Sequence, residues 1–368
     1  MPNTFSLETV PTPALIVDAT IVRNNLRRLA DYATTHHLKV RPHTKTHKSR
    51  FMARLQAEHG ASGITVAKFG EAEVMSEVTD DLLLAYPALD PWRARHVAEL
   101  ARRKSIRVAV DSRQAVEALA AEAVNARSKV GILVELDVGL HRTGVQSPQA
   151  ALELAQLVDR TTGVRLDGLL CYPGHVWNPP DEQQVPLAKV AEQLQETLDL
   201  WKKHGLQAEI VSGGSTPTAY QSHLIPQLTE IRPGTYIYND MNTVRGGYCT
   251  LNDCAACVIC TVVSNAVPDQ IVLDAGTKTL TSDRCIPVHD TGHGYMVEYP
   301  QAKITALSEE HAQVDLSKCD PKPRLDERVT VIPNHICPCV NLQDVVWWRE
   351  NERPQLTSIA VDTRGKQV

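Results

Sequence analysis

Two short stretches of the chain carry side chains that can do covalent or metal chemistry. In Arg41-Pro-His-Thr-Lys-Thr-His-Lys48, Lys45 stands among Arg41, His43, His47 and Lys48. A lysine amine forms a Schiff base with a carbonyl compound only while it is unprotonated, and nearby cationic groups favour the free amine. The same composition also reads as a solvated basic loop. In Pro333-Asn-His335-Ile-Cys337-Pro338, an extended strand would turn residues 335 and 337 to one side, so an imidazole and a thiolate could hold one cation. Two protein ligands leave positions open for water or substrate, which a catalytic metal needs. An isolated His-x-Cys also occurs for purely structural reasons.

Between these stretches lie groups suited to an anionic, ring-shaped cofactor. ELDVGLHRTGV places a guanidinium at Arg142, and LLCYPGH supplies an aromatic face at Tyr172 and a titratable imidazole at His175. IVSGGSTPT sets Ser215 and Thr216 behind two glycines, and EIRPGTYIYND sets Thr235 and Tyr236 behind Gly234. Glycines let backbone N–H groups approach a phosphate, and hydroxyls add donors. A lysine, an arginine and two such cradles in this chain order point to pyridoxal phosphate.

The elements that must position these residues alternate. The runs PALIVD, LKVRPH, GITVAK, DLLLAY, IRVAVD, GILVELDVG, LDGLLCY and AEIVSGG are short and apolar, with TEIRPG closing the series. Amphipathic stretches such as RQAVEALAAEAV and SPQAALELAQLV separate them. Strands buried on both faces and alternating with helices predict a parallel sheet, and their number predicts a (β/α)8 TIM-type barrel. A doubly wound open sheet is the competing architecture, but no GxGxxG follows the first run. With LKVRPH as the second barrel strand, Lys45 stands at its C-terminal end, where barrel active sites assemble. After about residue 240, β-branched runs separated by Gly, Pro, Asn and Asp predict an all-β domain. The expected division is a barrel over 12–243 and a smaller β domain over 244–368, with residues 1–11 packing on the latter.

A chain of 368 residues with 43% hydrophobic content can bury a large core, and its net charge of -5 argues against nucleic-acid partners. No apolar run approaches the roughly 20 residues that span a bilayer, and MPNTFSLETVPTP lacks the charged-then-apolar pattern of a secretory signal. The expectation is a cytoplasmic protein with no membrane partner. Nine cysteines without a signal predict reduced thiols. Cys254-x-x-Cys257-x-x-Cys260 has a metal-like spacing but lies in a run of small apolar residues, and we read it as core packing.

Taken together, TPALIVD, RPHTKTHK, GITVAKFGEAEVM, ELDVGLHRTGV, YPGH, VSGGSTPT, EIRPGTYIYND, VLDAGTK, EEH and PNHICPCVNLQD resemble fold-type III pyridoxal-phosphate enzymes of the D-threonine aldolase and D-serine dehydratase group. The likeness spans nearly the whole chain. It implies an alanine-racemase-type barrel followed by the β domain. It implies Lys45 as the Schiff-base lysine, Arg142 near the pyridine nitrogen and Tyr172 as an active-site tyrosine. It also implies Ser215, Thr216, Gly234 and Thr235 as the phosphate cradle with Tyr236 adjacent, His335 and Cys337 as ligands of a divalent metal, and a homodimer.

The implied substrate is a β-hydroxy D-amino acid, and two reactions share the scaffold. Loss of the hydroxyl proton gives retro-aldol cleavage to glycine and an aldehyde. Loss of the α-proton with hydroxide gives dehydration, then a 2-oxo acid and ammonia. Aldolases resembling this chain often carry His-x-Asp where His335-x-Cys337 stands, and the thiolate favours zinc over manganese or magnesium. CPCVNLQD and the late TRGK resemble the aldolase side, so D-threonine aldolase-like cleavage is the leading expectation, with D-serine or D-threo-3-hydroxyaspartate dehydration the alternative. Some aldolases place a histidine where Asn178 stands; His175 is the substitute base. A non-catalytic pyridoxal-phosphate-binding protein and a metal hydrolase without that cofactor are further readings.

Overall fold

The structure, a computed structural model, describes residues 5–288, 291–351 and 353–368. It divides into two compact units. One comprises the segment ending at Arg27 together with Thr46–Phe51 and Thr235–Arg364; the other comprises Arg28–Lys45, Met52–Gly234 and Gly365–Val368.

Strand β1 (Ala14–Asp18) is buried throughout, and Asp18 Oδ1 accepts the N–H groups of Thr20 and Ile21, capping the helix that starts at Ala19. The following strands are β2 (Lys39–Val40), β3 (Ile64–Val66), β4 (Asp81–Leu84), β5 (Ser105–Val110), β6 (Val130–Leu136), β7 (Val164–Cys171), β8 (Ile210–Gly213) and β9 (Glu230–Ile231). These last eight form one parallel sheet in the order β2-β9-β8-β7-β6-β5-β4-β3. The sheet closes where His43 bridges Thr65: Thr44 donates to the Thr65 carbonyl and Thr65 to the Pro42 carbonyl, each at 2.9 Å. The expected eight-stranded parallel barrel is thus present.

PALIVD, counted above among the barrel strands, is β1 and pairs elsewhere. LKVRPH therefore opens the barrel rather than standing second, and TEIRPG supplies its last strand. A buried apolar run states that it is a strand but not which sheet it joins.

Turn chemistry fixes the crossover helices. Asp90, Ser112 and Ser147 cap helices Pro91–Leu100, Arg113–Ala126 and Pro148–Arg160 by accepting backbone N–H groups, and the second ends at left-handed Arg127. Within the sheet, Leu83, Ala109, Leu133 and Leu170 form one apolar cluster. Beside it runs a largely buried ionic chain. Arg41 meets Glu230 at 2.9 Å and Asp81 at 2.6 Å, and Arg107 meets Asp81 at 2.6 Å and Asp167 at 2.8 Å. Gly131 makes room for it, since a Cβ there would lie 2.4 Å from the Asp167 carboxylate.

The other unit is built on strands β10 (Ala256–Ser264), β11 (Gln270–Leu273), β12 (Tyr295–Met296), β13 (Lys303–Leu307), β14 (Ala312–Asp315), β15 (Arg328–Ile332), β16 (Val345–Arg349) and β17 (Thr357–Ala360). With β1 they make a mostly antiparallel sheet ordered β13-β14-β11-β10-β1-β16-β17, while β15 pairs with β10 and β12. Val10, Ala14, Ile16 and Leu356 form one of its apolar clusters, against which Phe5 and Leu7 pack. Cys260 is buried, and burial raises the thiols of Cys257 and Cys260, in keeping with core packing. Among the described residues, no helix is long and apolar enough to cross a membrane.

Candidate active site

At the C-terminal end of β2 the chain passes through the His43 bridge into a turn that leaves Lys45 exposed. The Lys45 backbone N–H donates to His43 Nδ1 at 3.3 Å. Arg41 does not crowd Lys45 with free charge as the sequence suggested, because its guanidinium is buried and shared between Glu230 and Asp81. Likewise Arg50 pairs with Asp362, so the basic stretch is not a solvated patch.

The turn after β6 is organised by Asp137. Its carboxylate accepts the N–H groups of Gly139 and His141 and meets His141 Nδ1 at 2.7 Å. Burial works to raise this carboxyl, but those backbone donors outweigh it and hold it below the usual range. The turn presents Arg142, whose guanidinium carbon sits 4.7 Å from the Tyr172 ring centroid. Glu135, Asp137, Arg142, Thr143 and Tyr172 line a crevice there, in which Thr143 donates to Glu135 at 2.8 Å. Tyr172 follows β7, and its ring requires glycine two residues on: a Cβ at Gly174 would lie 2.2 Å from it. His175 is exposed and packs beside Gly139, where a Cβ would come within 3.0 Å of Nε2. Partial burial lowers the imidazole, Asp137 opposes this and His141 reinforces it. The net effect favours a neutral ring able to accept a proton.

At the ends of β8 and β9 the two small-residue runs meet. Gly214 has φ +78°, and Ser215 and Thr218 exchange bonds, with the Ser215 N–H donating to Thr218 Oγ1 and the Thr218 N–H to Ser215 Oγ. Thr216 Oγ1 accepts the Gly234 N–H at 3.3 Å. Hydroxyls and backbone N–H groups from the last two barrel strands are a donor set that fits a phosphate, in the position where barrels bind one. Beneath them, Arg232 donates to Ser212 and to the Cys171 carbonyl.

The other unit carries the remaining candidates. Thr235 and the buried Tyr236 lie in the short 3-10 turn Thr235–Ile237, and Thr235 Oγ1 stands 3.6 Å from Cys337 Sγ. Thr46 Oγ1 stands 3.2 Å from the same sulfur. His335 and Cys337 do not lie on one extended strand as expected. His335 has extended backbone and immediately precedes helix Ile336–Asn341, which contains Cys337. The helix start is held by Asp240, whose Oδ2 accepts the Ile336 N–H at 3.0 Å while its Oδ1 accepts that of Thr243.

The imidazole and thiol nevertheless interact, since Cys337 is among the groups that raise the His335 imidazole. Asp283 engages His335 Nδ1 at 2.7 Å, leaving Nε2 available to a cation. Burial disfavours the imidazolium, but Cys337, Asp240 and Asp283 outweigh it and push the pKa up to about 10. Such surroundings require positive charge, so the pair fits a divalent cation. Among the described residues no cluster of three or more His, Cys, Asp or Glu is placed for a metal, so the protein ligands would be these two. Asp283, Asp240 and Thr46 were not singled out from the sequence. Asp240 had a local signal, the Asp-x-x-Thr of a capping box, whereas Asp283 is 52 residues from its partner.

Barrel, strand-end site and second sheet together define a class. Residues 17–242 match the family described as alanine racemase, N-terminal domain, and residues 255–348 match a putative serine dehydratase domain. The chain belongs to this family. Among its relatives, D-threonine aldolase from Arthrobacter sp is 30% identical over 92% of this chain and 89% of its own. D-threo-3-hydroxyaspartate dehydratase from Delftia sp. (strain HT23) is 30% identical over 90% of this chain and 92% of its own. The crystal structure of D-threonine aldolase from Filomicrobium marinum superposes with a TM-score of 0.91 at 28% identity, covering 99% of both chains.

Proposed function

We propose that this chain is a pyridoxal-phosphate- and divalent-metal-dependent lyase that cleaves β-hydroxy D-amino acids to glycine and an aldehyde. The observation that carries the reading is the imidazole and thiol of His335 and Cys337 brought together with Asp283 on Nδ1, in a chain whose barrel places Lys45 at a strand end.

Pyridoxal phosphate held by Lys45 supplies an electron sink for charge left on the α-carbon when one of its bonds breaks. A divalent cation supplies Lewis acidity toward the substrate hydroxyl. His335 and Cys337 hold that cation, and the thiolate selects zinc over manganese or magnesium. Arg142 stacks over Tyr172, and the two side chains would contact the cofactor ring. Ser215, Thr216 and Gly234 would hold the phosphate, and Thr235 and Tyr236, in the 3-10 turn of the other unit, are proposed as further cofactor residues. His175, neutral and exposed, accepts the hydroxyl proton at its free ring nitrogen.

Dehydration to a 2-oxo acid and ammonia is the second reading, favoured by the cysteine at 337 and by the Delftia relative. The deciding experiment offers D-threonine, D-serine and D-threo-3-hydroxyaspartate separately, with zinc or with manganese, and identifies products. Glycine with an aldehyde supports cleavage. Ammonia with an oxo acid replaces it by dehydration, and no turnover with any pairing overturns both.

A further inference from the structure

Arg142, which the proposed function sets against the cofactor ring, is exposed, and no carboxylate among the described residues forms an ion pair with its guanidinium. It lies over the Tyr172 face instead. A cation over a partly exposed ring is weakly held, and an arginine has many rotamers to lose. Where the guanidinium stands therefore depends on the turn that carries it.

Three carboxylates grip that turn. Asp137 accepts the N–H groups of Gly139 and His141 on one side of Arg142, and Asp111, just past β5, accepts that of Gly144 at 3.1 Å on the other. Any residue but proline supplies a backbone donor, so these bonds do not depend on which side chains the turn carries. Glu135 differs. Its carboxylate accepts the Thr143 hydroxyl at 2.8 Å, a donor that only the residue next to Arg142 provides. Its carbonyl accepts the Val145 N–H at 2.8 Å, and the Val145 carbonyl accepts the Asp137 N–H at 3.0 Å, closing the turn at its base. Gly144 is required there, since its φ is +105° and a Cβ would lie 2.5 Å from the Asp137 nitrogen.

Glu135 is buried within this frame and lines the crevice that Arg142 and Tyr172 share. Burial raises its carboxyl and Asp111 adds to this, while the Thr143 bond and the charges of Arg232 and Arg142 oppose it. A hydrogen bond to an ionised acceptor is among the stronger ones, and a buried carboxylate deprived of it is left under-satisfied. The Thr143 bond is thus one the fold has reason to keep.

Resting on the reading of Arg142 and Tyr172 as cofactor residues, we propose that Glu135 is a positioning residue: through its bond to Thr143 it fixes the part of the turn from which Arg142 reaches the cofactor ring. Glu135 and Thr143 act through Arg142 and need not touch the cofactor.

The test titrates pyridoxal phosphate into full-length apoprotein and follows the visible circular dichroism of the bound cofactor, with thermal unfolding as the check on folding. Thr143→Val, which keeps the shape but loses the donor, is expected to bind roughly tenfold more weakly and with reduced ellipticity. Thr143→Ser, which keeps the donor, should match wild type. Because the effect runs through Arg142, adding Thr143→Val to Arg142→Met should weaken binding no further than Arg142→Met alone. Should Thr143→Val fail to fold, Glu135→Gln leaves Thr143 only a neutral acceptor and should show part of the same loss, again with none beside Arg142→Met. Wild type that takes up no cofactor overturns the underlying reading and this inference with it. With wild-type uptake intact, the inference alone is overturned if Thr143→Val binds like wild type, if Arg142→Met has no effect, or if the Thr143→Val loss persists undiminished beside Arg142→Met.

Discussion

The Asp283 carboxylate lies 2.7 Å from Nδ1 of His335, and this bond determines which ring nitrogen is left for a cation. Carboxylates behind histidine ligands orient the ring and raise its basicity, and their loss typically weakens metal binding about 10- to 100-fold. Asp283→Asn is expected to lower zinc affinity within that range. Competition with a chromophoric chelator measures it without reference to turnover, and an unchanged affinity contradicts the assignment.

Gly174 lies against the Tyr172 ring, so Gly174→Ala must displace the aromatic face that stacks on Arg142. Overpacking of this kind costs about 1–3 kcal/mol. The expected outcome is roughly tenfold weaker pyridoxal-phosphate binding, read by titrating cofactor into apoprotein. Unaltered affinity separates Tyr172 from the cofactor.

Arg41 is read as a structural ion. Its side chain is 4% exposed and bonded to Glu230, itself 2% exposed, so Arg41→Met leaves a buried carboxylate without its partner. Breaking such a pair costs about 3–5 kcal/mol, which denaturant unfolding should report as a lower midpoint. Retained stability with altered Lys45 reactivity instead restores the electrostatic role expected from the sequence.

The Arg23 hydrogen bond holds the Glu350 carboxyl down to about 2 against the opposing effect of burial, with help from Trp348. A carboxyl depressed in the folded state adds stability that is complete above its unfolded pKa of about 4.3 and is lost as pH falls toward the folded value. The pair is partly exposed, so its contribution is under about 1 kcal/mol. Thermal unfolding of wild type and Glu350→Gln should differ at neutral pH and converge through this acid window. A difference that persists at the acid end contradicts the pairing.

These particulars also mark what could be read from the chain alone. VGILVEL is wholly buried in β6, and its apolar run, broken only by Glu135, announced a parallel-sheet strand. PALIVD carries the same signal yet pairs with β10 and β16, because sheet membership is decided by partners far along the chain. The spacing of His335 and Cys337 suggested a pair on one extended strand; the helix Ile336–Asn341 found instead was not legible, since ICPCVN is short and Pro338 is tolerated only because it falls in the first turn. Arg41 looked like part of a basic cluster because Asp81 and Glu230, which neutralise it, lie in other strands.

The account rests on a reversible imine between Lys45 and pyridoxal phosphate. Borohydride reduction of the cofactor-saturated protein, followed by peptide mass mapping, tests it most directly. The expected result is a reduced pyridoxyl group on the Lys45 side chain. A label on a different lysine, or none, contradicts it.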